Sequence, residues 1–153
     1  NDVSPLLKRK NISEKYVVLI PGSSRKHPEK RWPFYKALAK EFMNQGFDVV
    51  NILGPDELDL KQALLGTTLE SLDWGDLAGV INKSLFVIGN DSGPSHIASC
   101  LKKSGIAIFG PTTSGSKSEL ARPPFIIIET EDLNNLSSKN LFKIITNRYT
   151  LLR

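Results

Sequence analysis

Val87-Ile88-Gly89-Asn90-Asp91-Ser92-Gly93-Pro94-Ser95-His96-Ile97-Ala98 is the stretch whose reading decides the fold. It opens on an apolar run, Leu85 to Ile88, whose β-branched and aromatic residues spell a buried strand. A tight polar turn follows. Gly89 and Gly93 let the backbone turn sharply and come close to a ligand. Pro94 suits the first helical position, where its missing N–H costs nothing. A helix that starts from such a turn presents free N–H donors to a phosphate. Asp91 does not fit that picture directly, because a carboxylate is repelled by phosphate. It serves a neutral partner such as a sugar hydroxyl, or it caps the helix.

Outward from this stretch, apolar runs alternate with helical patterns. Tyr16 to Ile20, Phe47 to Leu53, Ile106 to Phe109 and Phe125 to Ile128 read as further strands. Between them, Pro33 opens a helix with apolar positions at Phe34, Ala37, Leu38 and Phe42, and Gly46 closes it. A short helix is expected over Glu57 to Leu64, and Asp73 caps another from Trp74 to Lys83. The helix from Pro94 runs to Lys102 with Gly105 as its cap, and Ser137 caps the last helix, to about Tyr149. Continuous apolar strands alternating with helices predict an α/β fold, a doubly wound parallel sheet of Rossmann-like type. Ligands of such sheets sit at the carboxyl ends of the strands. Pro21 to Lys30, Gly54 to Glu57, Gly89 to His96 and Gly110 to Thr113 all follow a strand, so four segments converge on one edge.

Composition narrows the function. The chain has 153 residues, enough for one domain, with 40% hydrophobic and 24% charged residues. No apolar run approaches the ~20 residues that span a bilayer, and no signal peptide is visible. The single cysteine, Cys100, excludes an internal disulfide and fits a reducing cytoplasm; it is read as a core residue. The net charge is +4, but nine of the 20 Lys and Arg residues, against three acids, fall within residues 1–36. That concentration favours an anionic ligand near the Ser23–Lys36 loop. No groove-reading helix stands out and aromatics do not interleave with the basic residues, which argues against nucleic acid. Gly-x-Gly-x-x-Gly is missing, which argues against a dinucleotide dehydrogenase.

The site candidates follow. Ser23, Ser24 and Lys30 bring two hydroxyls and an ammonium to the loop after the first strand, natural partners for a diphosphate. Glu57 and Asp56 stand where nucleotide-binding α/β folds hold a ribose, with Asp56 alternatively capping the short helix. Ser92, Gly93 and Pro94 form the helix start, and His96 lies in its first turn. Gly110, Pro111 and Thr112 follow a later strand. Trp32, directly before a helix, is read as packing rather than ligand contact.

These residues carry a resemblance. The Gly-Asn-Asp-Ser-Gly-Pro-x-His-x-Ala string resembles the ADP-heptose:lipopolysaccharide heptosyltransferases, glycosyltransferase family 9. Pro21-Gly22-Ser23-Ser24, Lys30-Arg31-Trp32-Pro33 and Phe109-Gly110-Pro111-Thr112 match that family in order and spacing. The likeness runs from Tyr16 to the C-terminus. It implies the C-terminal, donor-binding half of a two-domain GT-B glycosyltransferase that transfers heptose from ADP-heptose to the lipopolysaccharide inner core. Residues 1–14, polar with Pro5 and a Lys8-Arg9-Lys10 cluster, read as a linker or tail, which leaves 15–153 as the donor domain. The N-terminal acceptor domain, with the general base, lies outside this chain. The family implies Lys30 at the donor phosphates, where it stabilises the leaving group, Glu57 at the ribose, and Gly110 to Thr112 at the sugar end. It implies no cofactor and no metal, an inverting displacement, and a cytoplasmic protein that works on the cytoplasmic face of the inner membrane. Two rival readings are a non-catalytic nucleotide-binding module and an enzyme using another nucleotide-sugar such as UDP.

Overall fold

The computed structural model of the protein describes residues 2–22, 31–111 and 120–149. Six strands form one parallel sheet: β1 (Tyr16–Ile20), β2 (Asp48–Leu53), β3 (Thr67–Glu70), β4 (Phe86–Asn90), β5 (Gly105–Phe109) and β6 (Phe125–Glu129). Their order is β3-β2-β1-β4-β5-β6. The chain builds outward one way from β1 to β3, then crosses back and builds the other way from β4. The topological switch point therefore lies between β1 and β4, where doubly wound sheets open a crevice at their carboxyl ends.

The strand sequences explain why the sheet is parallel and covered. Every residue of β1, β4 and β5 is buried, as expected of strands with helices on both faces. Alternate residues feed two cores. Val18 and Ile20 face a layer made by α1 (Ser4–Arg9), α3 (Trp74–Lys83) and α4 (Gly93–Cys100). Val17 and Leu19 face α2 (Tyr35–Asn44) and α5 (Ser138–Arg148). Burial of each large side chain contributes about 1.5–3 kcal/mol. Trp32 anchors α2 on the sheet, as the sequence predicted: it is 2% exposed and its indole N–H donates to the Leu136 carbonyl at 2.8 Å.

The caps hold where they were expected. The Asp73 carboxylate accepts from the Asp76 N–H, and the Ser137 hydroxyl accepts from that of Asn140. Gly46 follows α2 with φ +87°, a conformation glycine adopts without strain. Elsewhere the details differ. The buried face of α2 is Tyr35, Leu38, Ala39 and Phe42, and Ala37 is exposed, because the i, i+3, i+4, i+7 stripe on the sheet runs from Tyr35 rather than Phe34. Gly105 is not a helix cap but the first residue of β5, and it is Lys102, with φ +53°, that ends α4. The segment from Pro55 to Ala63 is a 3₁₀ helix, and β3 is a strand the sequence reading did not anticipate. Residues 1–14, read as a linker or tail, include α1, which seats Val3, Leu7 and Ile12 in the core. Cys100, read as core, is exposed, with the Arg122 guanidinium donating to its Sγ at 3.1 Å; it falls on the outer side of α4, away from the buried Ala98 and Ser99. Among the described residues no helix is long and apolar enough to cross a membrane.

Candidate functional site

The carboxyl ends of the parallel strands share one edge, and there a cavity of about 470 Å³ opens, within the usual range for small-molecule sites. Gly54, Asp56 and Glu57 enter it from the end of β2. Ser71 and Leu72 follow β3, while Trp74 and Leu77 belong to α3. Asp91 to Pro94 and His96 come from the β4–α4 turn.

The β4–α4 turn is built from within. Ser92 takes the N-cap position in extended backbone, and α4 begins at Gly93. The Ser95 hydroxyl donates to the Asn90 carbonyl at 2.6 Å and lies 3.3 Å from that of Ser92. Strand and helix press together here: a β-carbon on Gly89 would stand 2.5 Å from the Ser95 hydroxyl and 3.0 Å from Ile20 Cβ. Only a residue without a side chain admits that approach. Asp91 lies one residue ahead of the cap, so it does not take the capping position. Its side chain is 14% exposed, and Oδ1 lies 3.7 Å from Nε2 of His96. The two polar groups face the cavity side by side.

Asn90 ties this turn to the loop that follows β1. Its side chain is wholly buried. Its Oδ1 accepts from the Trp32 N–H at 3.2 Å and the Tyr35 hydroxyl at 3.0 Å. Its amide donates to the carbonyls of Pro21 at 3.0 Å and Gly22 at 3.4 Å. Each polar atom of the side chain is thus matched, as burial demands. Burial also holds the Tyr35 hydroxyl well above the usual phenol range.

Glu57 joins the β2 end to the same loop. Its Oε1 accepts from the Gly54 N–H at 2.9 Å, so Glu57 and not Asp56 completes the start of the 3₁₀ helix. The carboxylate lies against Gly22, where a β-carbon would collide with it. Burial raises the Glu57 carboxyl above its usual value; the Gly54 N–H and the Arg31 guanidinium pull the other way. Arg31 Nη1 lies 3.9 Å from Asp59 Oδ2, which brings a cation to this side of the cavity.

The structure therefore gathers Glu57, Asp91, Ser92, Gly93, Pro94 and His96 around one space. Gly110 and Pro111 follow β5 on the same edge but do not line this cavity; Gly110 instead packs against Leu133. Ser23, Ser24, Lys30 and Thr112 lie outside the described residues. Among the described residues no three His, Cys, Asp or Glu side chains converge as metal ligands do. Trp74, Leu72 and Ser71 were not anticipated. The signal for Ser71 and Leu72 was the β-branched pair Thr67-Thr68 after a glycine, a short strand whose end must join the others.

The chain is similar to known proteins. The family model of glycosyltransferase family 9 (heptosyltransferase) matches residues 2–143. Lipopolysaccharide heptosyltransferase 2 of Salmonella typhimurium is 30% identical over 99 residues, 56% of this chain and 28% of that protein. Among solved structures, the ADP-heptose lps heptosyltransferase II of E. coli superposes with a TM-score of 0.78 at 22% identity, over 97% of this chain and 50% of that one. A family 9 glycosyl transferase of Veillonella parvula gives 0.80 at 21% identity, over 98% and 50%. An E. coli heptosyltransferase with ADP-2-deoxy-2-fluoro heptose gives 0.75 at 21% identity, over 88% and 44%. The chain thus spans about half, or less, of the length of the proteins it matches.

Proposed function

The chain belongs to glycosyltransferase family 9, the heptosyltransferases, and from that premise we propose that it is the half of such an enzyme that holds the nucleotide-sugar donor, ADP-heptose. The observation that carries this reading is the meeting of Glu57, Asp91 and the start of α4 on one cavity at the switch point of the sheet. Each supplies a chemistry that the donor needs. The backbone N–H groups at the start of α4, with Lys30 and the Ser23 and Ser24 hydroxyls, receive the diphosphate. They stabilise the charge that gathers on departing ADP as the anomeric bond breaks. Glu57 accepts from the ribose hydroxyls, and Asp91, beside His96, orients hydroxyls of the heptose, whose outer end meets Gly110, Pro111 and Thr112.

The partner groups complete the reaction from elsewhere. A second, N-terminal domain presents the lipopolysaccharide inner-core acceptor and the general base, so attack on the anomeric carbon inverts it. No metal is needed where α4, Lys30 and the basic loop carry the diphosphate. Titration calorimetry against ADP, UDP, GDP and ADP-heptose, with and without magnesium, tests the proposal. ADP-heptose binding tighter than ADP, and unchanged by magnesium, is the expected result. A preference for UDP assigns another donor, and silence toward every nucleotide removes the donor site.

A further inference from the structure

Trp74 stands out among the apolar side chains of the cavity. At 68% it is the most exposed large hydrophobic residue of the described chain, whereas the other tryptophan, Trp32, is buried. A single exposed apolar residue calls for no explanation by itself. The setting of Trp74 does. It is the first residue of α3, whose start is fixed by the bond from the Asp76 N–H to the Asp73 carboxylate at 2.7 Å. From there the indole reaches α4: its Cη2 lies 3.6 Å from where a β-carbon on Gly93 would stand. The ring therefore shares a wall with the helix start that receives the diphosphate.

The cavity offers two chemistries. Glu57, Asp91 and Ser92 bring polar groups, and Leu72, Trp74 and Leu77 bring apolar ones. A nucleotide-sugar has a diphosphate, two hydroxylated rings and one flat base. The hydroxylated rings gain most from acceptors, and the flat base, which has a π-face of its own, gains most from an aromatic wall. Trp74 also lies on the β3 side of α4, away from the Gly110 turn that follows β5. We infer that Trp74 is the platform on which the donor's nucleobase stacks, and that it sets a preference for purine over pyrimidine diphosphates because stacking rewards ring area. This rests on the donor-site reading and adds the residue that recognises the base.

Acrylamide quenching of tryptophan fluorescence reads Trp74 directly, since Trp32 is hidden from the quencher. Saturating ADP is expected to shield Trp74. The substitution Trp74→Ala should weaken ADP binding about 5- to 150-fold, the measured span for a base–aromatic stack. It should leave inorganic pyrophosphate binding unchanged and shrink the preference for ADP over UDP, and Trp74→Phe should restore most of both. Unaltered ADP affinity in Trp74→Ala overturns the assignment, as does ADP that leaves Trp74 fully quenchable. A loss confined to the extra affinity of ADP-heptose over ADP also overturns it, by moving Trp74 to the sugar. Failure of the unaltered chain to bind any of these nucleotides brings down the donor reading itself, and this inference with it.

Discussion

At the scale of single residues, Asn90 and Glu57 divide the labour of holding the site. Asn90 satisfies four groups from inside the protein. Replacing it by leucine strands the Tyr35 hydroxyl, the Trp32 N–H and the Pro21 carbonyl away from water. Each abandoned group costs about 1–3 kcal/mol, so Asn90→Leu should lose at least about 2 kcal/mol in urea denaturation. Tyr35→Phe removes one donor and should cost about 1 kcal/mol. A variant as stable as the parent would show that the network is slack. Glu57 makes a prediction about pH. Its carboxyl is raised by burial, so the folded protein favours the protonated form. That contribution to stability is complete below the unfolded value and fades as pH climbs through the folded one. Donor affinity should move the opposite way over the same window, because only the ionised carboxylate accepts strongly from ribose. Denaturation and ADP titration across the acidic range, with Glu57→Gln as the flat reference, measure both slopes. Parallel slopes, or a parent as flat as the variant, would count against the role given to Glu57. Asp91 and His96 were legible because they follow a glycine-bearing turn after an apolar run. Trp74 was not, because its place in the cavity comes from the landing of α3 against α4, which no local pattern encodes.

At the scale of elements, β4 and α4 meet in a tight joint beside the cavity. Gly89→Ala places a methyl against Ser95, which is already committed to the Asn90 carbonyl, and against the branched Ile20. Overpacking of this kind costs about 1–3 kcal/mol. The helix start must also back away from the strand, so ADP affinity should fall together with the melting temperature. A loss of stability with ADP binding intact would separate the joint from the site. The same elements show what sequence patterns can carry. β1, β4 and β5 were readable because burial on both faces demands unbroken apolar runs. β3 was not, because as an edge strand of four residues it buries Leu69 alone. Cys100 and Gly105 were misplaced for a related reason. Which face of α4 meets the sheet, and where β5 begins, are set by packing between elements, which no local pattern encodes.

At the scale of the whole molecule, the cavity spans the carboxyl ends of β2, β3 and β4, beside the switch between β1 and β4. On the proposed reading, the groups that line it serve one of the two reactants. Holding both reactants in attack geometry is worth about 7–11 kcal/mol of barrier in favourable cases. This chain alone should therefore bind ADP-heptose yet transfer no sugar to an inner-core acceptor, and an N-terminal acceptor domain supplied in trans should restore transfer. Product formation at an ordinary enzymatic rate by these 153 residues alone would refute the division of labour. The buried amide of Asn90 has a separate consequence for how such a domain changes over time. It grips Pro21 and Gly22 on one side and Trp32 on the other, so two segments, each distant from it in sequence, meet on a single side chain. Asn90 holds Gly22 and Trp32 at one point, so over time this position answers to two segments at once and stays fixed while other parts of the frame drift.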